Sequence, residues 1–124
     1  MYIRIDFNSD DALYIQIRDQ IICGIASSAY QEGDSLPSVR ELAEVIGINM
    51  HTVNKAYTIL KQEGYLKLDR RKGAVIAVNC NKLNSLNEMK EELKTVIAKA
   101  ICRNISSVEM HEVIEQIYGE FEGR

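Results

Sequence analysis

Apolar residues recur at helical spacing twice in quick succession between residues 36 and 64, after which the period shortens to that of a strand. Val39, Leu42, Ala43 and Ile46 fall at i, i+3, i+4 and i+7, one face of a helix that Ser38 and Glu41 open as a Ser-x-x-Glu capping box and Gly47 closes. Val53, Ala56, Tyr57 and Leu60 repeat the spacing between Asn49, a good N-cap, and Gly64, a good stop. The opposite face of this second helix carries His51, Asn54, Lys55, Thr58 and Lys61, without the alternating acids of a merely solvated face. Two short helices joined through Gly47, Ile48 and Asn49 predict a helix-turn-helix, in which the second helix can enter a major groove while the first crosses the backbone.

Beyond Gly64, residues 65–69 and 74–78 are two β-prone runs separated by Arg70, Arg71, Lys72 and Gly73, so they predict a hairpin with a basic tip. A helix-turn-helix followed by a hairpin is a winged helix. Upstream, residues 1–8 alternate apolar and polar, with Ile3, Ile5 and Phe7 on one side, and predict an extended arm or short edge strand packed on the body. Ser9 or Asp10 caps a scaffold helix over residues 11–29, with Leu13, Ile17, Ile21 and Ile25 one turn apart. A turn centred on Gly33 follows, and Pro37 keeps the next helix from starting before Ser38.

Residues 79–84, asparagine-rich, read as a linker. A helix from Ser85 to Cys102 then carries Leu86, Met89, Leu93, Val96, Ile97, Ala100 and Ile101 on one broad stripe. A second, opened by a capping box of Ser106 and Glu109, carries Val113, Ile114, Ile117, Tyr118 and Phe121. The predicted fold is mostly α with a small β-hairpin. It comprises a winged helix-turn-helix over residues 1–78 (arm 1–8, recognition helix 50–63, wing 65–78), the linker, and a short two-helix tail over residues 85–124.

With 124 residues the chain has room for one compact domain and a small appendage. Being 46% hydrophobic and 27% charged, it has the composition of a folded soluble protein. No apolar run approaches the ~20 residues of a membrane span. Arg4 and Asp6 interrupt any signal-peptide core, so a cytoplasmic location without membrane contact is expected. The net charge of −3 argues against a nucleic-acid partner until its distribution is considered. Residues 1–49 hold three basic and eight acidic side chains, net −5, whereas residues 50–73 hold six basic and two acidic, net +4. Affinity for a polyanion follows the local field, so a net-acidic chain with one cationic face is compatible with DNA.

Cys23, Cys80 and Cys102 show no Cys-x-x-Cys spacing. Cys23 and Cys102 sit in helical apolar surroundings and are expected as buried reduced thiols. A metal site from Cys80, Cys102 and His111 is the weaker reading, and the prediction is no metal and no cofactor.

The chemistry concentrates at the start of the second helix and on the wing. Met50, His51, Asn54 and Lys55 occupy the end of the helix that faces base edges, with Thr52 placed for a phosphate. Asparagine suits adenine through its paired donor and acceptor, and lysine suits a guanine edge or a phosphate oxygen; spacing does not choose among these residues. Arg70, Arg71 and Lys72 repel one another on a turn with no anionic partner, which a phosphate backbone would supply. For Arg40 the bland alternative is a surface ion pair with Glu44.

Leu36-Pro37-Ser38-x-Arg40-Glu41-Leu42-Ala43, then Thr52-Val53 with Ala56-Tyr57, then Glu63-Gly64-Tyr65-Leu66 and finally Gly73 together resemble the DNA-binding domain of GntR-type bacterial transcriptional regulators. The Leu-Tyr-x-Gln-Ile run from Leu13 to Ile17, the Asn-x-x-Thr-Val-x-Lys-Ala-Tyr form of the recognition helix and the short tail are similar to the YtrA-like branch. This resemblance implies that Ser38 and Arg40 contact the DNA backbone or a base, that Thr52 and Asn54 lie in the groove, and that Gly73 lets the wing approach the minor groove. Many members carry arginine where this chain has Met50 and Asn54, departures that leave the operator bases open but not the docking mode.

Two short helices cannot bury both tail stripes by themselves. The simplest partner is the same pair of helices in a second chain, a homodimer through Leu86, Met89, Leu93, Val96, Ile97, Ile101, Val113, Ile114, Ile117, Tyr118 and Phe121; a monomeric cap folded onto the winged helix is the alternative. The expected function is a sequence-specific regulator, a repressor by occlusion, that binds double-stranded DNA at an inverted-repeat operator. A winged-helix protein-interaction module without DNA readout is the runner-up. An enzyme is not expected, because no nucleophile and base are suitably spaced and no glycine-rich phosphate loop is present. The tail is short for the ~300 Å³ pocket of a dedicated ligand domain. An unidentified small-molecule effector, a change in oligomer stability and control by abundance all stay open as switches.

Overall fold

A computed structural model describes residues 2–123. Its elements are α1 (Leu13–Ala26), α2 (Val39–Ile46), α3 (Met50–Gln62), β1 (Leu66–Asp69), β2 (Gly73–Ile76), α4 (Lys82–Cys102) and α5 (Ser107–Phe121). They divide into two compact units, Met1–Asn79 and Cys80–Arg124.

In the first unit α3 packs against both α1 and α2. The apolar stripe of α3 is wholly interior: Val53, Ala56, Tyr57 and Leu60 are buried with Ile17 and Ile21 of α1 and Leu42 and Ala43 of α2. Leu36, Leu66 and Ile76 close this core, while Val39 and Ile46 of the α2 stripe pack at its rim, half-buried. Burying a large aliphatic side chain contributes about 1.5–3 kcal/mol, so these contacts fix which face of α3 is left outside.

Capping sets where α2 and α3 begin. The Ser38 Oγ accepts from the Glu41 N–H at 3.1 Å, and Gly47 ends α2 at a φ of +81°. The Asn49 side chain accepts from the His51 N–H at 2.7 Å and starts α3. At the other end Gly64 takes a φ of +85° and its carbonyl accepts from the Asn79 N–H at 2.7 Å.

The hairpin is antiparallel, in register from Leu66 opposite Ile76 to Asp69 opposite Gly73. Its strands are shorter than predicted: the Tyr65 N–H is turned back to the Leu60 carbonyl at 2.8 Å, outside the ladder. The outer edge of β2 is covered by the segment before α2. Leu36 N–H donates to the Ala74 carbonyl at 2.8 Å and Ile76 N–H to the Asp34 carbonyl at 2.9 Å.

Several sequence expectations are corrected. Helix α1 starts at Leu13, with Ala12 as a cap that makes no side-chain hydrogen bond, because the Ser9 hydroxyl accepts from the Asp11 N–H at 3.1 Å instead. It ends at Ala26, three residues early, since Ser28 turns left-handed at a φ of 64°. Residues 82–84, expected as linker, are the first turn of α4, capped by the Asn81 side chain accepting from the Asn84 N–H at 3.3 Å. Cys23 and Cys102 are exposed rather than buried. Each stands two residues from a buried position, Ile21 and Ala100, and two residues is about 200° around a helix.

The arm forms no strand over its described residues. Ile3 and Ile5 pack on the core, but Phe7 is 68% exposed. In place of a neighbouring strand, two glutamines one turn apart on α1 bind its backbone. Gln20 accepts from the Arg4 N–H at 2.9 Å and donates to the Arg4 carbonyl at 2.6 Å. Gln16 accepts from the Asp6 N–H at 2.9 Å and donates to the Asp6 carbonyl at 3.0 Å. A primary amide offers the same donor and acceptor as a peptide unit, so each side chain stands in for one rung of a ladder.

In the second unit, Ser106 and Glu109 make the expected capping box for α5, with reciprocal bonds of 3.0 and 3.1 Å. Among the described residues of this unit Ala100 alone is buried. Apart from Ala100, the stripe residues from Leu86 to Ile101 on α4, and Val113, Ile114, Ile117 and Tyr118 on α5, are exposed, and Phe121 is half-buried.

Candidate nucleic-acid interface

Burying one stripe of α3 leaves its polar stripe outward. His51, Asn54, Lys55 and Lys61 are exposed, Met50 is exposed at the first helical position, and Thr52 and Thr58 are half-buried. Lys55 is less free than its spacing suggested: its ammonium sits 3.9 Å from the centre of the Tyr14 ring on α1, a cation–π contact. Arg40 is exposed and, among the described residues, makes no ion pair with Glu44. Ser38 spends an oxygen lone pair on its cap, and its hydroxyl can still donate outward.

Arg70, Arg71 and Lys72 are exposed on the hairpin turn. Among the described residues none of the three charged groups makes an ion pair, but the backbone that carries them is held by Asp69. One of its carboxylate oxygens accepts from the Arg71 N–H at 2.8 Å and the Lys72 N–H at 3.0 Å. These backbone hydrogen bonds, Arg71 first, hold the Asp69 carboxyl below its ordinary value, with smaller help from the Lys72 and Lys67 charges. Gly73 leaves the turn at a φ of +76° with no atom crowding the place of a Cβ, so backbone conformation and not space requires glycine there.

Six of the eleven predicted DNA-contact residues line one of two hollows. Ser38, Asn54, Lys72 and Gly73 line one groove of about 380 Å³ between the helices and the hairpin. Arg40 and Met50 border a separate hollow beside Glu44, Gly47 and Ile48. Lys61 and Leu68 also line the groove and were not among the predicted site residues. Lys61 is seven positions after Asn54, hence on the same face, and Leu68 is two after the buried Leu66, where alternation along a strand would have put it inside.

Among the described residues no three His, Cys, Asp or Glu side chains come together, so Cys80, Cys102 and His111 form no metal set. No described helix is long and apolar enough to cross a membrane.

Residues 13–76 match the family described as bacterial regulatory proteins, gntR family. The chain is 35% identical over 124 residues to the HTH-type transcriptional repressor YtrA of Bacillus subtilis (strain 168), covering 98% of this chain and 95% of that protein. Its structure is similar to that of a transcriptional antiterminator from Listeria monocytogenes EGD-e, with a TM-score of 0.88 at 28% identity over 100% of this chain and 95% of that one. It is similar also to YtrA from Sulfolobus acidocaldarius, a GntR-family transcription factor, with a TM-score of 0.67 at 38% identity over 81% of this chain and 97% of that one. These relatives are regulators of transcription, not enzymes.

Proposed function

The chain belongs to the GntR family of bacterial regulatory proteins and is a transcriptional regulator with a winged-helix DNA-binding domain; from that premise we propose that it is a repressor that binds an inverted-repeat operator as a homodimer. The observation that carries this reading is the charge split. Residues 50–73 hold six basic and two acidic side chains, and these residues span α3, β1 and the hairpin turn, whose basic side chains stand exposed. In this reading His51, Thr52, Asn54 and Lys55 enter the major groove, Met50 lies beside them against a base edge, Ser38 and Arg40 meet the backbone, and Arg70 to Gly73 follow the flanking phosphates.

The exposed apolar stripes of α4 and α5 support the dimer, since a face of that size left in water favours association. A two-fold dimer presents two copies of α3, which suits half-sites one helical turn, about 34 Å, or a multiple apart. Occlusion of a promoter by such a dimer represses, and the protein acts in the cytoplasm, where the chromosome is.

Selection of bound fragments from genomic DNA, followed by footprinting, tests the reading. The expected result is protection of an inverted repeat, lost on substituting Asn54 and Lys55 together by alanine while the melting curve stays cooperative. Competition by random duplex as strong as that by the best genomic fragment would sink the operator and favour a protein-interaction module.

A further inference from the structure

The groove between α3 and the hairpin has a cation on each wall. Lys61 stands on the helix side and Lys72 on the hairpin side, Asn54 and Ser38 line it as well, and Leu68 is exposed over 72% of its surface. Lys61 has no ion-pair partner among the described residues. The acid nearest to it in sequence, Glu63, is instead within 3.9 Å of the Arg18 guanidinium. Glu41 is the acid that lines the groove, so its walls carry two ammonium groups against one carboxylate. The apolar Leu68 beside these charges suits a ligand that alternates anionic and apolar parts along its length, as a phosphodiester strand alternates phosphates and deoxyribose faces.

We infer that this groove takes one strand of the duplex backbone, and that Lys61, three turns along α3 from its base-reading end, is a phosphate-binding residue acting opposite Lys72. The inference rests on the DNA-binding reading above and extends it. It places the contacts of α3 along its whole outer face and not only at its first turns. It also gives Glu41 a role opposed to binding, because its charge faces the same phosphates.

Titrating fluorescent random-sequence duplex at a series of salt concentrations tests this without knowledge of the operator. For Lys61→Gln the slope of log affinity against log salt should fall by about 0.9, one phosphate's worth of released counterion, with random duplex weakened at every salt. Lys61→Arg should restore the slope, and Glu41→Gln should move half-binding to higher salt. Because Lys61 is exposed, the variants should melt as the parent does. A parent protein that binds with a steep slope, beside Lys61→Gln that keeps the same slope, overturns the assignment of Lys61 and leaves the proposed function standing. A parent with no salt-dependent binding overturns both.

Discussion

The Tyr57 hydroxyl donates to the Pro37 carbonyl oxygen at 2.7 Å, so the middle of α3 is tied to the residue just before the α2 cap. The bond fixes the start of α2 against the middle of α3, beside the core that both helices share. Tyr57→Phe keeps the ring in the core and removes the bond, at an expected cost of about 1 kcal/mol. Tyr57→Ala should cost about 3–5 kcal/mol, as truncation of a buried aromatic does. Urea unfolding separates the two; a phenylalanine variant as stable as the parent would mean that the bond only occupies space.

The same tyrosine predicts a loss of stability in alkali. Burial first, then the charge of Glu41 and the nearby Tyr30, push its hydroxyl above the ordinary tyrosine value. The folded chain then holds this proton more tightly than the unfolded one. Its contribution is complete below the ordinary value near pH ~10 and is lost as pH rises through the higher folded value. An ultraviolet absorbance titration should show one tyrosine ionising only with unfolding, and that feature should vanish in Tyr57→Phe.

Asp69 organises the hairpin turn, and its carboxyl is held below its ordinary value by the Arg71 and Lys72 N–H groups. The sign is opposite to that of Tyr57: the contribution is present above the unfolded aspartate value and lost as pH falls through the lower folded one. The Arg71 and Lys72 amide resonances should shift together in acid, below the range of an ordinary aspartate. Asp69→Ala should broaden both at neutral pH and weaken DNA binding even though it removes a negative charge from the cationic turn. Tighter binding by that variant would show that turn order matters less than net charge.

How far this was readable without coordinates depends on how local each cause is. The α2 and α3 stripes, Gly47, Gly64 and the caps at Ser38, Asn49 and Ser106 act within one or two turns, and all appear where their spacing put them. What escaped depends on partners distant in sequence or on side chains with two uses. Ser9 had a nearer donor than a helix end, in Asp11. The arm found its ladder in Gln16 and Gln20, which no strand pattern announces. Asp69, counted only as part of the hairpin, turned out to be the carboxylate under the basic turn. Cys23 and Cys102 have apolar neighbours, but helical phase decides their exposure.

The glutamine rungs make a separate prediction about the arm. Gln20→Leu removes both bonds to Arg4, and Gln16→Leu those to Asp6. Each variant should speed hydrogen exchange at its own arm residue while the other glutamine's rung and the amides of α3 stay protected. Equal protection in both variants would mean that apolar packing suffices.

Lys55 touches α1 through the Tyr14 ring and is also a proposed DNA contact. Its contact with the Tyr14 ring should contribute about 0.5–1 kcal/mol, so Lys55→Ala should lower stability by that amount whereas Asn54→Ala should not. In Tyr14→Leu the ring is gone and the ammonium is released. If the ring aims Lys55 at the duplex, that variant weakens DNA binding as Lys55→Ala does; if the ring holds it back, binding tightens. Unchanged affinity in Lys55→Ala would remove this residue from the interface.

The tail carries the most consequential test. Leu93 and Ile97 are one turn apart on α4 and both exposed in the single chain, 48% and 37%. A charge at such a position costs little in a monomer, where it faces water, but several kcal/mol in a dimer that buries it unpaired. Leu93→Glu should therefore leave the melting of the winged helix near that of the parent while sedimentation shifts from dimer to monomer. With each α3 on its own half-site, as proposed, separating the pair should remove the gain of a linked second contact, roughly 10²–10⁴ in operator affinity, and leave binding to an isolated half-site unchanged. Monomeric parent protein at the same concentrations would exclude the dimer, and a monomeric variant with full operator affinity would show that one copy suffices.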